Sequence, residues 1–330
     1  MPAPSARLRS ASLALRASLL LLAPLFLLAG CGESTSSSAA PTATGTAAAS
    51  ASASAEPGPD LSRIVSVGGT VSEILAGRGV QDQIVGVDIT SLHPPDVFAD
   101  KKKVGYFRKL SSEGILSLDP SAVVYTQGSG PPPVLAQLKS TGTEMIEVDG
   151  ALTLEAARQR ITTLGKLFKK PDEAAKLLKK LDEDVAKARE IADTAATKPR
   201  VMFIYARGNR VLNVAGKEEG LEAMLELVHA QNAMTQFDGY KPMSSESVAA
   251  ADPDVILMTT RGAESVGGTD GVLKLPGVAL TKAGKAGKIV AIDDLALLGF
   301  GPRLGEAMKE LATALHKSPA KEAAEDGGGS

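Results

Sequence analysis

Tyrosine followed two residues later by arginine occurs twice in this chain, although tyrosine is scarce in it. Tyr106 and Arg108 lie in VGYFRKLSSEG, and Tyr205 and Arg207 lie in FIYARG, in a chain of four tyrosines and no tryptophan. Side chains alternate along a strand, so each pattern predicts a phenol and a guanidinium on one face. A nearby cation favours the phenolate, which ferric iron binds strongly. The alternative is an ordinary packing tyrosine at a strand end.

The N-terminal residues have the pattern of a secretory signal. Basic residues precede the apolar run LLLLAPLFLLAG, and Leu28-Ala29-Gly30-Cys31 resembles the lipobox of bacterial lipoproteins. We expect residues 1–30 to be a lipoprotein signal peptide and Cys31 to be lipidated, unless it is a stray cysteine after an apolar run. Because Cys31 is the only cysteine, no intrachain disulfide can form.

Low-complexity segments flank the rest of the chain. Residues 33–57 are almost entirely Ser, Ala, Thr, Gly and Pro, too poor in apolar bulk for a core. Residues 31–60 are therefore predicted to be the lipidated cysteine and a disordered tether, and residues 318–330 a disordered tail. The formal net charge of −2 gives no basic surface for nucleic acid.

Both halves of the chain alternate short apolar runs with helical patterns. The runs are IVSVG (64–68), IVGVD (84–88), AVVYT (122–126) and MIEVD (145–149), then VMFIYA (201–206), VLNVA (211–215), DVILMTT (254–260) and KIVAIDD (288–294). This alternation predicts parallel strands with crossover helices. The expected fold class is α/β, with two Rossmann-like lobes joined by one long α-helix and a ligand cleft between the lobes.

The lobes are expected at residues 61–166 and 199–317, with the connecting helix at 167–198. An Ala/Leu/Lys/Glu-rich stretch interrupted at Pro171 predicts that helix. A coiled-coil dimer helix is the alternative, although the apolar positions do not sustain three clean heptads.

The lobes also share a sequence repeat. LSSEGILSLDPSAVV (110–124) aligns without a gap to MSSESVAAADPDVIL (243–257), and Gly105-Tyr106 has a near echo in Gly239-Tyr240. Each copy predicts a helix with a serine N-cap and an acidic first turn, ended by Asp-Pro before a strand.

The chain resembles the haem substrate-binding proteins of bacterial ABC importers. The resemblance covers nearly all of residues 63–316 and is carried by IVSVGGTVSEIL, VGYFRKLSSEGILSLDP, TQGSGPP, GYKPMSSESVAAADPDVILMTT, LPGVALTKAG and DDLALLGFGPR. It implies a helical-backbone binding protein that carries ferric haem (ferric protoporphyrin IX) as its transported ligand. Several segments are shared with cobalamin and siderophore binders, so a ferric siderophore or corrinoid is the alternative cargo.

The resemblance also implies the site. Tyr106 would be one iron ligand, supported by Arg108, and Tyr205 with Arg207 matches the second ligand that some members supply from the other lobe. A bis-tyrosine pocket is our extension of the family pattern. The further haem contacts expected are Tyr240, Gly128, Ser129, Phe300 and Arg303.

The implied partners are an ABC importer permease dimer with its ATPase subunits. Glu113 and Glu246, one in each copy of the repeat, would contact the two permease subunits; the alternative is that they only complement helix N-termini. We expect a monomer, lipid-anchored through Cys31 at the outer face of the cytoplasmic membrane. No nucleophile elbow, P-loop or zinc motif is found in the sequence, so we expect no enzyme. A structural or scaffolding lipoprotein is a further alternative.

Overall fold

The computed structural model describes residues 58–208 and 210–316. The predicted signal peptide, Cys31, most of the tether and the tail lie outside the described residues. No helix in this part of the chain is both long enough and apolar enough to cross a membrane.

Five parallel strands form the N-terminal sheet, in the order β3-β2-β1-β6-β7. All four residues of β1 are buried, as expected for a strand covered by helices on both faces. The four strands predicted for this half are confirmed. The elements are β1 (Ile64–Val67), α1 (Gly69–Ala76), a 3-10 turn (Gln81–Gln83), β2 (Ile84–Val87), α2 (Pro95–Phe98), β3 (Lys102–Lys103), β4 (Gly105–Tyr106), β5 (Lys109–Leu110), α3 (Ser112–Leu116), β6 (Ala122–Thr126), α4 (Pro132–Ser140), β7 (Glu144–Val148) and α5 (Leu154–Leu167).

The C-terminal sheet has the order β11-β9-β8-β12-β13, with β10 also beside β8. Strands β8, β12 and β13 are parallel, as predicted. Its elements are β8 (Arg200–Arg207), β9 (Val211–Ala215), α7 (Glu219–Leu227), β10 (Gln231–Asn232), β11 (Tyr240–Pro242), α8 (Ser245–Ala251), β12 (Val255–Thr259), α9 (Thr260–Ser265), α10 (Gly268–Leu273), a 3-10 turn (Val278–Leu280), α11 (Lys282–Ala286), β13 (Ile289–Ile292), α12 (Asp294–Leu298) and α13 (Leu304–His316).

Strand β9 does not follow the predicted parallel arrangement. It runs antiparallel to both β8 and β11. The link from Arg207 to Val211 is far too short for a crossover, which needs a dozen or more residues, so only a hairpin can form there.

The long connecting helix is confirmed as α6 (Pro171–Asp193), which has 23 residues and begins with proline at its first position. Both α5 and α13 contact it, so its apolar face is used within one chain. At the crossing with α13, a Cβ on Gly305 would lie 2.6 Å from the carbonyl oxygen of Leu181. Beside this crossing, Lys309 Nζ lies 2.9 Å from Asp184 Oδ1. The sequence did not predict that the last helix would return to the connector.

One hydrophobic core joins the two sheets. It runs without a break from Ile64 in β1, through Leu181 in α6 and Leu311 in α13, to Val201 and Phe203 in β8. Because both sheets rest on the same buried side chains, their relative position is set by close packing. The lobe boundaries at 166 and 198 stay a prediction.

Gly305→Ala tests this packing. The added methyl group must separate α13 from α6, so we expect the free energy of unfolding to fall by about 1–3 kcal/mol in chemical denaturation. Gly114→Ala is the control, because a Cβ there comes no closer than 3.6 Å to Ser111. If Gly305→Ala is as stable as the wild type, the crossing does not fix the connector.

Candidate functional site

Tyr106 lies in a tight hairpin beyond the carboxyl end of the N-terminal sheet. Strand β4 pairs with β5, and Phe107 and Arg108 form the turn between them. Arg108 therefore does not share a strand face with Tyr106, and the predicted alternation is wrong here because the chain reverses first. The guanidinium instead lies over the Phe107 ring, with Cζ 4.8 Å from the centroid.

The Gly128–Ser129 loop is bonded to this hairpin. The Gly130 N–H donates to Phe107 O, and the Leu110 N–H donates to Gly130 O, each at 2.9 Å. Ser129 is buried, and both its N–H and its hydroxyl donate to Thr126 O. The structure thus brings the loop to Tyr106, but Ser129 already uses its donors within the protein.

Tyr205 and Arg207 share one face of β8, as predicted. Arg207 Cζ lies 4.9 Å from the Tyr205 ring centroid. Arg207 Nη2 lies 3.4 Å from Asp294 Oδ1, and the second oxygen of this buried carboxylate accepts the Arg261 N–H at 3.1 Å. Asp294 therefore helps to hold the guanidinium beside the phenol, and sequence reasoning missed it.

Tyr240 adds a second phenol to this cluster. Its ring centroid lies 6.1 Å from that of Tyr205 and 6.5 Å from that of Phe203, both edge to face. Although Tyr240 is 44% exposed, its partial burial raises its pKa to about 12, and the charges of Glu218 and Tyr205 act in the same direction. Tyr240 is therefore suited to contact a ligand as a neutral phenol.

The internal repeat is confirmed in the backbone. Helices α3 and α8 both have a serine N-cap, and Asp119 and Asp252 both adopt a left-handed conformation, with φ of 47° and 39°, directly before proline. The preceding strands differ between the copies: β11, which carries Tyr240, comes directly before α8, whereas β5 lies between Tyr106 in β4 and helix α3. The repeat therefore covers the two helices and the Asp-Pro after each, and the strands of Tyr106 and Tyr240 are not equivalent because β4 pairs with β5 and β11 pairs with β9.

Glu113 and Glu246 occupy matching places in this repeat. Each lies in the first turn of its helix and is exposed. No ion pair to either is found among the described residues. Both carboxylates are thus accessible to a partner.

An apolar recess opens beside Tyr240. The space between its walls, including the part that is open to solvent, is about 410 Å³. Its walls include Leu221, Met224, Leu298, Phe300 and Tyr240, and its one charged lining residue in the described part of the chain is Glu218. We call it the Glu218 recess. Phe300 thus lines the recess together with Tyr240, and its contact with haem stays a prediction.

Arg303 is an interior ion-pair partner rather than an open cation. Its Nε lies 2.5 Å from Glu73 Oε1 and its Nη2 lies 2.8 Å from Asp293 Oδ1, and the side chain is 15% exposed. Glu73 belongs to α1, next to the N-terminal sheet, and Asp293 caps α12, next to the C-terminal sheet. The guanidinium therefore ties the two halves together.

The carboxyl ends of the two sheets adjoin each other. Thr70, at the start of α1, donates its hydroxyl to Gly299 O at 2.7 Å, and a Cβ on Gly69 would lie 2.8 Å from Leu295. Open α/β sheets bind ligands beyond the carboxyl ends of their strands. The Tyr106 hairpin lies at one of these ends, and the Tyr205 cluster lies at the other.

Sequence reasoning missed two residues of the site, Asp294 and Glu218. Asp294 follows strand β13 in KIVAIDD, where a strand-end carboxylate is a recognisable feature. Glu218 lies outside every motif found in the sequence, and the fold brings it next to Tyr240 in the recess.

A sequence model of the periplasmic binding protein family matches residues 64–296. RhuT, a periplasmic haem-binding protein from Roseiflexus sp. RS-1 solved in apo form, is 38% identical with a TM-score of 0.73, covering 78% of this chain and 98% of its own. BhuT, a periplasmic haem-binding protein solved with two haems, is 37% identical with a TM-score of 0.71, covering 77% and 97%.

Two curated relatives extend the comparison. An uncharacterised ABC transporter substrate-binding lipoprotein of Bacillus subtilis, YvrC, is 27% identical over 263 residues, which are 79% of this chain and 82% of that protein. A cobalamin-binding protein of Halobacterium salinarum is 24% identical over 265 residues, 78% of this chain and 70% of that protein.

Glu73 should make stability depend on pH. Burial raises the pKa of Glu73 from 4.5 to about 7, against the attraction of Arg303, and its Oε2 has no hydrogen-bond partner among the described residues. The folded protein then binds more protons than the unfolded chain, so stability falls as pH rises from about 4.5 to about 7. Burial and the charges of Glu306 and Asp293 also raise the pKa of Glu310, which acts in the same direction.

Glu73→Gln isolates this contribution, because glutamine keeps the shape without titrating. We expect the slope of unfolding free energy against pH to become shallower over this range, while Glu155→Gln, a change at an exposed acid, leaves it as in the wild type. An identical slope in Glu73→Gln and wild type would refute the assignment.

Proposed function

Because the chain belongs to the periplasmic binding protein family, we propose that it is an extracytoplasmic receptor that captures ferric haem and delivers it to an ABC importer. The observation that carries this proposal is the cluster of Tyr205, Arg207 and Tyr240 beside an apolar recess. Similarity to RhuT and BhuT over nearly their whole lengths supports the same cargo.

The chemistry of the cluster suits ferric iron. A tyrosine oxygen ligates ferric haem in catalase, so this ligand type has precedent. We propose that Tyr205 binds the iron and that the Arg207 guanidinium offsets the negative charge of the bound phenolate. Asp294 keeps that guanidinium over the ring, which limits the reorganisation needed on binding.

Tyr106 is proposed as the opposite axial ligand. It lies beyond the carboxyl end of the N-terminal sheet, which adjoins the matching end of the C-terminal sheet. Arg108 is exposed at the tip of the same hairpin and remains its proposed charge partner. Gly128 remains the proposed backbone contact for a propionate, whereas Ser129 and Arg303 already use their donors or charge within the protein.

A corrinoid is the second candidate cargo. The similarity to a cobalamin-binding protein of Halobacterium salinarum favours it. The two cargoes are distinguished by absorbance, because a tyrosine-ligated ferric haem changes its Soret and charge-transfer bands on binding.

The proposed location is the outer face of the cytoplasmic membrane, with an anchor at Cys31. The relative YvrC carries the name of a substrate-binding lipoprotein. The proposed role is capture and release, without catalysis.

Titration of the purified protein with hemin tests the cargo and the ligands together. Tyr205→Phe should shift the charge-transfer band and weaken binding by about tenfold or more, because it deletes the oxygen but keeps the ring. Tyr106→Phe should act in the same direction, which would identify a bis-tyrosine site. Tyr125→Phe is the control, because that residue packs against the core of the N-terminal sheet.

Spectra and affinity identical to the wild type in both Tyr205→Phe and Tyr106→Phe would contradict ligation by either residue. If the absorbance changes on addition of a corrinoid but not on addition of hemin, the cargo is a corrinoid and not haem.

Glu113 and Glu246 are proposed as the docking contacts to the permease. They are exposed at matching positions of the internal repeat, and a permease with twofold symmetry presents the same surface twice. The competing role, helix N-terminal charge alone, is worth about 0.3–1 kcal/mol each.

Replacing both by glutamine separates these roles. If the two carboxylates contact the permease, the double variant keeps the haem affinity and spectra of the wild type, while haem-dependent uptake in cells falls severalfold. Glu155→Gln, at an exposed first-turn acid of α5, should leave uptake unchanged. Normal haem uptake by cells that carry the double variant would contradict the docking proposal.

A further inference from the structure

The Glu218 recess has a chemistry that neither the ligand tyrosines nor the docking acids explain. Its walls are mostly leucine, methionine and phenylalanine side chains and the space between them is small, so the recess suits one edge of a large ligand rather than a whole one. Among the described residues, no arginine, lysine or histidine lines it. Within the part of the chain that the structure describes, Glu218 is thus the one acidic residue that lines this otherwise apolar space, which also contains one phenol.

The walls of the recess are fixed by packing and by a buried cation. Phe300 is fully buried with φ of +48°, and its carbonyl oxygen accepts a 2.6 Å hydrogen bond from Arg160, itself 3% exposed. A Cβ on Gly220 would lie 2.9 Å from Leu152 and 3.2 Å from Phe300, so α7 approaches this wall closely. The recess is thus preformed.

The recess lies within reach of a ring bound at Tyr205. Tyr240 lines the recess, and its ring centroid is 6.1 Å from that of Tyr205. A tetrapyrrole is wider than this separation, so a ring held at Tyr205 extends over the recess. The charges along its edge then decide whether that edge can enter.

A ligand carboxylate would be disfavoured in this recess. It would lose water, find no lining cation and approach the Glu218 carboxylate, and each of these effects opposes binding. A vinyl or methyl edge would instead meet leucine, methionine and phenylalanine side chains, where apolar contact is favourable. Glu218 therefore disfavours an edge that carries a carboxylate more than it favours a vinyl or methyl edge.

We infer that the Glu218 recess is a specificity subsite that accepts the carboxylate-free edge of a tetrapyrrole and rejects rings that carry carboxylates on every side. This inference rests on the proposed haem function. It makes Glu218 a specificity residue that selects protoporphyrin-type rings and directs their propionates away from α7.

The test compares hemin with ferric coproporphyrin, which carries a propionate on each of its four pyrroles. The wild type should bind hemin about 100-fold more tightly. Glu218→Gln should narrow this ratio by about tenfold through tighter coproporphyrin binding, with hemin affinity almost unchanged. Glu218→Asp keeps the charge and should keep the wild-type ratio. Glu222→Gln, at an exposed acid in α7, the helix that Glu218 precedes, should keep it as well.

The inference is overturned if the wild type binds both rings equally, or if the ratio in Glu218→Gln equals the wild-type ratio. Loss of both ligands in Glu218→Gln with retention in Glu218→Asp would also overturn it, because the carboxylate would then support binding. Failure of the wild type to bind any ferric tetrapyrrole refutes the proposed function itself, which is a separate outcome.

Discussion

The ion pairs of Arg303 are the interaction on which the geometry of the site depends. One guanidinium bonds Glu73 at the start of the first half and Asp293 at the carboxyl end of the second. Because the Glu73 side chain is 5% exposed, removing Arg303 would leave a buried carboxyl group without its partner, which is destabilising. Together with the α6–α13 crossing at Gly305, this contact holds the two tyrosine-bearing edges in one arrangement.

Local sequence signals predicted the helices and strands well, but they predicted less well which strands and side chains lie next to each other in the fold. The apolar runs, the proline that starts α6 and the Ser-Ser-Glu and Asp-Pro repeat all act through nearby residues, and the structure confirms them. The antiparallel β9, the turn at Arg108 and the interior pairing of Arg303 depend on where the chain reverses or which side chains meet across the fold. Period-two alternation held for Tyr205 and Arg207 because β8 continues through both, and it failed for Tyr106 because β4 ends there.

The two halves use related frameworks for different chemistry. The repeat gives each half a serine-capped helix that ends at Asp-Pro, yet only the second half adds Tyr205, Arg207 and Asp294 at the end of its sheet. The second half also contains most of the apolar recess, so it offers the ring both an iron ligand and a shaped surface. A cleft that is asymmetric in this way can hold an asymmetric ring in one orientation.

A crystal of the protein grown with hemin, with the iron located by its anomalous scattering, tests the central claim most directly. The account predicts iron bonded to the oxygen of Tyr205 or Tyr106, between the carboxyl ends of the two sheets, with an apolar ring edge against Leu298 and Phe300. Iron bound at a different place on the protein, or in this cleft with neither tyrosine oxygen as a ligand, would contradict it.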